Sequence, residues 1–387
     1  MEGVSSPRYT SRMYIKSVGT DRKSLSTYDP TIDFIRFIAF ISVFFTHFIN
    51  RGGNAIQVNT GQWWNNQFIQ RIADFGGQGV TLFFGLTGFL LGRLLIRELE
   101  ENKSVSIKSF YLRRILRIWP LYFAFIIFCG VMNIFAQSPA LVSKEIPYLV
   151  TFTYNWGQIF GELPGTMATI TWSISVEEQI YLIFPILFLI LVKRSSTKYA
   201  VLLIISGFIS VLGCLYIWNI NPDRFTPTFL LPVGVGLLTA RFEDRFKNFS
   251  PTIWRRFFVL ILLVAYVLVF RNLVDFNNFR FLTFIGSALL LPGLLFVCRQ
   301  FVAGSGSRLI QWAIYVGRRS YGCYLFHWAV WTVMVGRNLF SSQTGGFSVL
   351  GVLVALAITV GVSAISYRFF ETPFLRYRKR FQKVISP

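Results

Sequence analysis

This 387-residue chain has two histidines, His47 and His327, and these are the side chains that could act as an imidazole base near neutral pH. His47 follows Arg36 by eleven residues, or about three helical turns, and Asp33 falls in the same sector, so all three line one helical stripe. Arg36 would sit near one end of such a helix, with His47 roughly 16 Å further in. Asp33 and Arg36 are three residues apart and can pair with each other, which gives the aspartate a structural role. An ionisable stripe on an apolar helix must face protein rather than lipid, and it marks function. A second acidic group lies in Thr171-Trp172-Ser173-Ile174-Ser175-Val176-Glu177-Glu178-Gln179-Ile180-Tyr181. Adjacent glutamates point ~100° apart on a helix, so one of the two at most faces a given partner. A carboxylate that fixes a histidine's tautomer supports general-base chemistry, which makes Glu177 or Glu178 a candidate partner of His47. The alternative is an interfacial pair reaching for water. A third group is Arg113, Arg114 and Arg117. Arg114 and Arg117 share a face and could fork around a phosphate, although basic residues at the end of a span also set topology. His327 lies in the aromatic-rich segment Ser320–Trp328 and suits either packing or substrate positioning.

The elements that must hold these groups are membrane helices. Apolar residues make up 53% of the chain and charged residues 14%, against about 25% charged in soluble proteins. Spans are expected near 32–50, 78–97, 116–136, 171–192, 199–219, 226–241, 253–270, 279–298, 320–336 and 347–369. With the N-terminus inside, the inner segments hold 30 lysines and arginines and the outer loops 7, with Arg36 in the first span. The expectation is an all-α integral membrane protein of about ten transmembrane helices with both termini cytoplasmic. Residues 1–31 would form a basic cytoplasmic tail, 32–374 the membrane domain and 375–387 a second basic tail. No cleavable leader is expected, because the first apolar run contains Arg36 and lacks a small-residue cleavage site. The net charge of +21 is spread between apolar runs, which argues for topology and anionic-lipid contacts and against nucleic acid. Four cysteines stand singly and the two histidines lack convergent carboxylates, so no metal site is expected. A transporter would also bury such charges but would more naturally show paired, Gly/Pro-broken halves, and there is no internal repeat.

Several ordered strings resemble the membrane-bound acyltransferase-3 family, over Ile32 to about Phe374. They are Asp33-Phe34-Ile35-Arg36 followed by His47, the run Gly79–Phe89, the arginine string, Trp172-Ser173 through Tyr181, the segment ending His327-Trp328, and Ser366–Pro373. The resemblance implies an O-acyltransferase of the inner cell membrane that moves an acyl group, by expectation acetyl, from cytoplasmic acyl-CoA to a hydroxyl. The acceptor would be a sugar of a surface glycan or glycolipid, with a secondary metabolite as the alternative. No permanently bound cofactor is implied, and a separate extracytoplasmic partner could complete the transfer. On this reading Arg114 and Arg117, with Arg113, would hold donor phosphates. The pantetheine arm would run along Arg36 toward His47, acting as base or transient acyl carrier with Glu177 or Glu178. Trp172, Ser173, Tyr321, His327 and Asp33 would have substrate-positioning or structural roles.

Overall fold

The computed structural model describes residues 28–50, 76–135, 139–161, 163, 165–192, 195–247, 252, 256, 280–302, 304–337 and 349–381. These residues are dominated by helix and include no strand. In chain order the helices are α1 (Pro30–Asn50), α2 (Gly79–Asn102), α3 (Ile107–Phe135), α4 (Pro139–Val150), α5 (Tyr154–Phe160), α6 (Trp172–Val192) and α7 (Ser196–Gly213). They continue with α8 (Leu230–Lys247), α9 (Arg280–Val302), α10 (Arg308–Arg318), α11 (Ser320–Gly336), α12 (Val349–Ser366) and α13 (Thr372–Arg378).

Seven stretches among the described residues are long and apolar enough to cross a membrane: Pro30–Phe48, Gly79–Asn102, Ile107–Ile134, Met167–Leu191, Ser196–Trp218, Phe284–Val302 and Leu350–Arg378. This is fewer than the ten expected, for three separate reasons. The segment at 226–241 is helical, as a 3-10 turn Thr226–Phe229 leading into α8, but the second half of α8 carries Arg241, Glu243, Asp244, Arg245 and Lys247. Helix α11 occupies the expected 320–336 but is 17 residues long. All of 253–270 except Arg256 lies outside the described residues.

Helix α2 is the central post, with 72% of its apolar window buried against 22% for Leu350–Arg378. Its glycines let α8 approach backbone to backbone. A Cβ on Gly88 would strike the carbonyl of Val233, and one on Gly236 would strike that of Gly85. Small residues are the usual means of such contact between membrane helices, where lipid offers no hydrophobic drive. Helix α10 lies against α1 in the same way, because Gly317 meets the Asp33 carbonyl. That contact brings Arg318 to the start of α1.

The loop between α3 and α6 folds into the short helices α4 and α5, which cap the opposite end. Tyr154 and Thr166 donate to the Glu145 carboxylate, and Trp328 Nε1 donates to the Thr166 carbonyl at 3.1 Å. Burial pushes the Glu145 carboxyl up from its ordinary range, opposed by the two hydroxyl donors. The boundary expected at 374 falls inside α13, which packs on α3.

Candidate active site

Three cavities adjoin one another across the bundle. A vestibule is lined by Arg36, Arg113, Arg114, Arg117, Arg318 and Arg378, together with three acids, Asp29, Asp33 and Glu371. It shares Arg36, Arg114, Arg117, Leu90 and Tyr321 with a middle chamber, which is also lined by Ser173, Glu177 and Tyr181. The chamber in turn shares Val80 and Tyr324 with a third cavity, which holds His47, Gln78, Thr81, Trp172, Asp223 and Arg224. Together the three cavities make a series, the passage, with arginines at one end and a histidine at the other.

The Asp33–Arg36–His47 stripe faces this passage as the sequence suggests. Arg36 Nη1 binds Asp33 Oδ1 at 3.1 Å, and Asp33 Oδ2 accepts from Tyr28 and from Arg318 Nε at 3.3 Å. Asp33 thus ties Arg36, Tyr28 and Arg318 together at the arginine end.

The structure brings the two histidines together. His47 Nδ1 lies 2.8 Å from His327 Nε2, with the rings nearly parallel at 9°. His327 is fully buried beside Phe40 and Phe44, and its Nδ1 is 2.6 Å from the Tyr324 carbonyl oxygen. A carbonyl can only accept, so the His327 proton sits on Nδ1. In a neutral ring Nε2 is then an acceptor, and His47 Nδ1 must donate to it. This leaves Nε2 of His47 as its proton-accepting nitrogen, the arrangement a general base needs. Trp328 packs edge-on to His47 at 5.1 Å and restricts the ring further.

The expected pairing of His47 with Glu177 or Glu178 is not what the structure shows. Glu177 Oε1 accepts from Thr87 at 3.0 Å and from Tyr181. Glu178 Oε2 accepts from Trp119 Nε1 at 2.9 Å, and its Oε1 is buried without a hydrogen-bond partner. Of the two, only Glu177 lines the middle chamber. The physical reason is position: α11 presents His327 against α1, while the Glu177–Glu178 turn of α6 faces α2 on one side and α3 on the other. Ser173 donates to the Tyr324 hydroxyl at 2.7 Å, and Tyr321 donates to the Ile118 carbonyl at 2.9 Å, so both tie α11 to neighbouring helices. Trp172 lies under Arg224, whose guanidinium carbon is 3.9 Å from the ring centroid.

The arginine string divides. Arg113 is committed, through Nη2 to Glu98 at 3.4 Å and Nη1 to the Phe381 carbonyl at 2.9 Å. Arg114 stacks on the Tyr181 ring at 4.9 Å, and neither Arg114 nor Arg117 has a carboxylate partner among the described residues. Sequence reasoning missed Arg224, Arg318, Arg378 and the histidine pair. For the pair, the signal was present in the scarcity of histidine. For the arginines, distance along the chain hid the convergence.

Among the described residues no group of histidines, cysteines and carboxylates could hold a metal ion.

Comparisons with known proteins give the family. An acyltransferase domain model of the acyltransferase-3 type matches residues 29–368. A peptidoglycan O-acetyltransferase, OatA, of Listeria monocytogenes is 25% identical over 92% of this chain and 58% of its own length. A provisionally named O-acetyltransferase of Staphylococcus aureus (strain COL) is 25% identical over 93% of this chain and 59% of its own. The chain thus spans less than two thirds of the length of these curated relatives. No solved structure matches. A multi-helix membrane fold, a series of cavities with cationic and imidazole ends, and a family match over most of the sequence lead to one assignment: the chain belongs to the acyltransferase-3 family.

Proposed function

We propose that the protein is an O-acetyltransferase that moves an acetyl group from cytoplasmic acetyl-CoA through the bilayer to a sugar hydroxyl of a surface glycan. The observation that carries this reading is the succession of adjoining cavities from the arginine vestibule to His47. Both termini lie in the cytoplasm on this reading, and the vestibule faces it; the 30-to-7 division of basic residues about ten spans supports that orientation. Arg114 and Arg117 hold the donor's phosphates as forked, charge-assisted partners. The pantetheine arm, which reaches roughly half the hydrocarbon thickness, passes Arg36 into the middle chamber. The thioester then lies near His47, and the acceptor enters the cavity beside Trp172 and Arg224. His47 Nε2 takes the hydroxyl proton as the oxygen forms its bond to the thioester carbonyl. The carbon–sulfur bond breaks, and the sulfur leaves as coenzyme A thiolate, which is reprotonated from His47 or water. His327 positions His47 without touching substrate. The relatives' names, one of which specifies peptidoglycan, support a cell-wall glycan as the acceptor class.

The test is to incubate membranes containing the protein with acetyl-labelled acetyl-CoA and to identify the labelled material. Label in base-labile esters on glycan is the expected result. Transport of a glycolipid or solute without consumption of acetyl-CoA would overturn the reading.

A further inference from the structure

Helix α13 contains the last vestibule arginine, Arg378, ten residues past the end of the family match. The helix is fixed in place. Arg113, itself held by Glu98, donates to the carbonyl of Phe381 just beyond it at 2.9 Å, and Thr372 at its start donates to the Tyr367 carbonyl at 2.6 Å. Arg378 lines the same cavity as Arg36, Arg114 and Arg117 and lies within electrostatic reach of all three. Its Nε is buried without a hydrogen-bond partner. Arg114, Arg117 and Arg378 have no ion pair among the described residues. Glu371, which lines the same cavity, accepts from Ser366 at 3.3 Å and forms no ion pair among the described residues either. Guanidinium groups cannot shed their charge in a protein, so three that converge without an ion pair, even with Asp29, Asp33 and Glu371 on the walls of the same cavity, still favour an anion between them.

We infer that Arg378 closes a phosphate clamp with Arg114 and Arg117, so that the C-terminal helix is part of the donor site and grips the donor's diphosphate. Arg114 and Arg117 approach from one face of α3, and Arg378 approaches from α13. A diphosphate offers oxygens in both directions, whereas a single phosphate would satisfy one arm of the clamp. The inference rests on the acyl-CoA reading above and names one more residue of that site. A lipid headgroup phosphate shares the chemistry, so the experiment separates the two.

The protein is reconstituted in neutral phosphatidylcholine nanodiscs, and its thermal unfolding is followed with coenzyme A, dephospho-coenzyme A or pantetheine added. In wild type, coenzyme A and dephospho-coenzyme A should stabilise equally, and pantetheine, which lacks the diphosphate, should not. Arg378→Gln should unfold at or above the wild-type temperature when unliganded, because a repulsive charge is gone, and should lose most of the coenzyme A stabilisation. Its donor KM should rise about tenfold or more with kcat unchanged. Arg378→Lys, which keeps the charge but loses the fork, should fall between the two and serves if the glutamine variant does not fold. Full stabilisation of both variants by coenzyme A would overturn the inference. So would a loss of stabilisation on removing the 3′-phosphate, or equal stabilisation by phosphatidylglycerol nanodiscs alone. If wild type itself ignores coenzyme A, the donor reading fails and this inference falls with it.

Discussion

Two arginine clusters share one end of the molecule and are built on opposite principles. In the first, Arg299 binds Glu243 at 2.6 Å and Asp29 at 3.0 Å, and Arg93 lies 3.4 Å from the other Glu243 oxygen. This cluster joins the start of α1 to α2, α8 and α9, and its two cations are matched by two carboxylates. In the second, the vestibule, Arg114, Arg117 and Arg378 face one cavity that also holds Asp29, Asp33 and Glu371, yet none of the three arginines forms an ion pair among the described residues. The sequence offers the same residue type in both places, often at helix ends where the positive-inside rule also wants it. The difference is the partner: a compensated arginine holds helices together, and an uncompensated one waits for an anion. Arg113 shows how local the distinction is, because it adjoins Arg114 in sequence and yet belongs to the compensated kind through Glu98.

Substitutions should separate the clusters. The largest effect on stability is expected from Arg299→Gln, which leaves Glu243 and Asp29 buried and poorly compensated. Breaking such a pair costs about 3 kcal/mol, so the unfolding temperature should drop clearly while donor KM in the surviving protein stays unchanged. A KM change of similar size would erase the contrast between the clusters. Arg117→Gln should do the reverse. Loss of one charge-assisted contact to phosphate, about 1.5–3 kcal/mol, raises donor KM roughly tenfold or more, with unliganded stability unaltered. An unchanged KM would reduce Arg117 to a topology marker.

The smallest effect concerns acid. The hydrogen bonds from Thr31 and the charge of Arg299 outweigh burial and hold the Asp29 carboxyl below its ordinary range. Its stabilising contribution is therefore present above the usual aspartate pKa of about 3.9 and is lost as pH falls through the lower folded value. Asp29→Asn should lower stability at neutral pH and flatten the acid limb of the stability curve. An unchanged acid limb would count against this account of the compensated cluster.

Much of this architecture could be read from the sequence. The apolar runs place most helices, because a helix that must satisfy its own backbone in lipid announces itself by length and composition. The Asp33–Arg36–His47 stripe follows from helical periodicity alone. Where the sequence reading went astray, contacts between distant helices decided the outcome. Periodicity puts Glu177 and Glu178 on α6 but says nothing about which neighbour α6 meets, whereas the ring that His47 Nδ1 contacts belongs to His327, 280 residues along the chain. Arg378 was hidden for a related reason: a basic segment after the last apolar run looks like a tail until α13 is seen folded onto α3. At α8 the apolar first half gives way to a charged second half, so that helix is not among the seven stretches long and apolar enough to cross a membrane.

The central claim is that this passage carries an acyl transfer in which His47 removes the acceptor's proton. It is tested most directly by the turnover of labelled acetyl-CoA in membranes containing His47→Ala, with insertion and folding checked alongside. The account predicts that kcat falls by about 10²–10⁴-fold while coenzyme A still stabilises the protein. Full turnover by His47→Ala would contradict it.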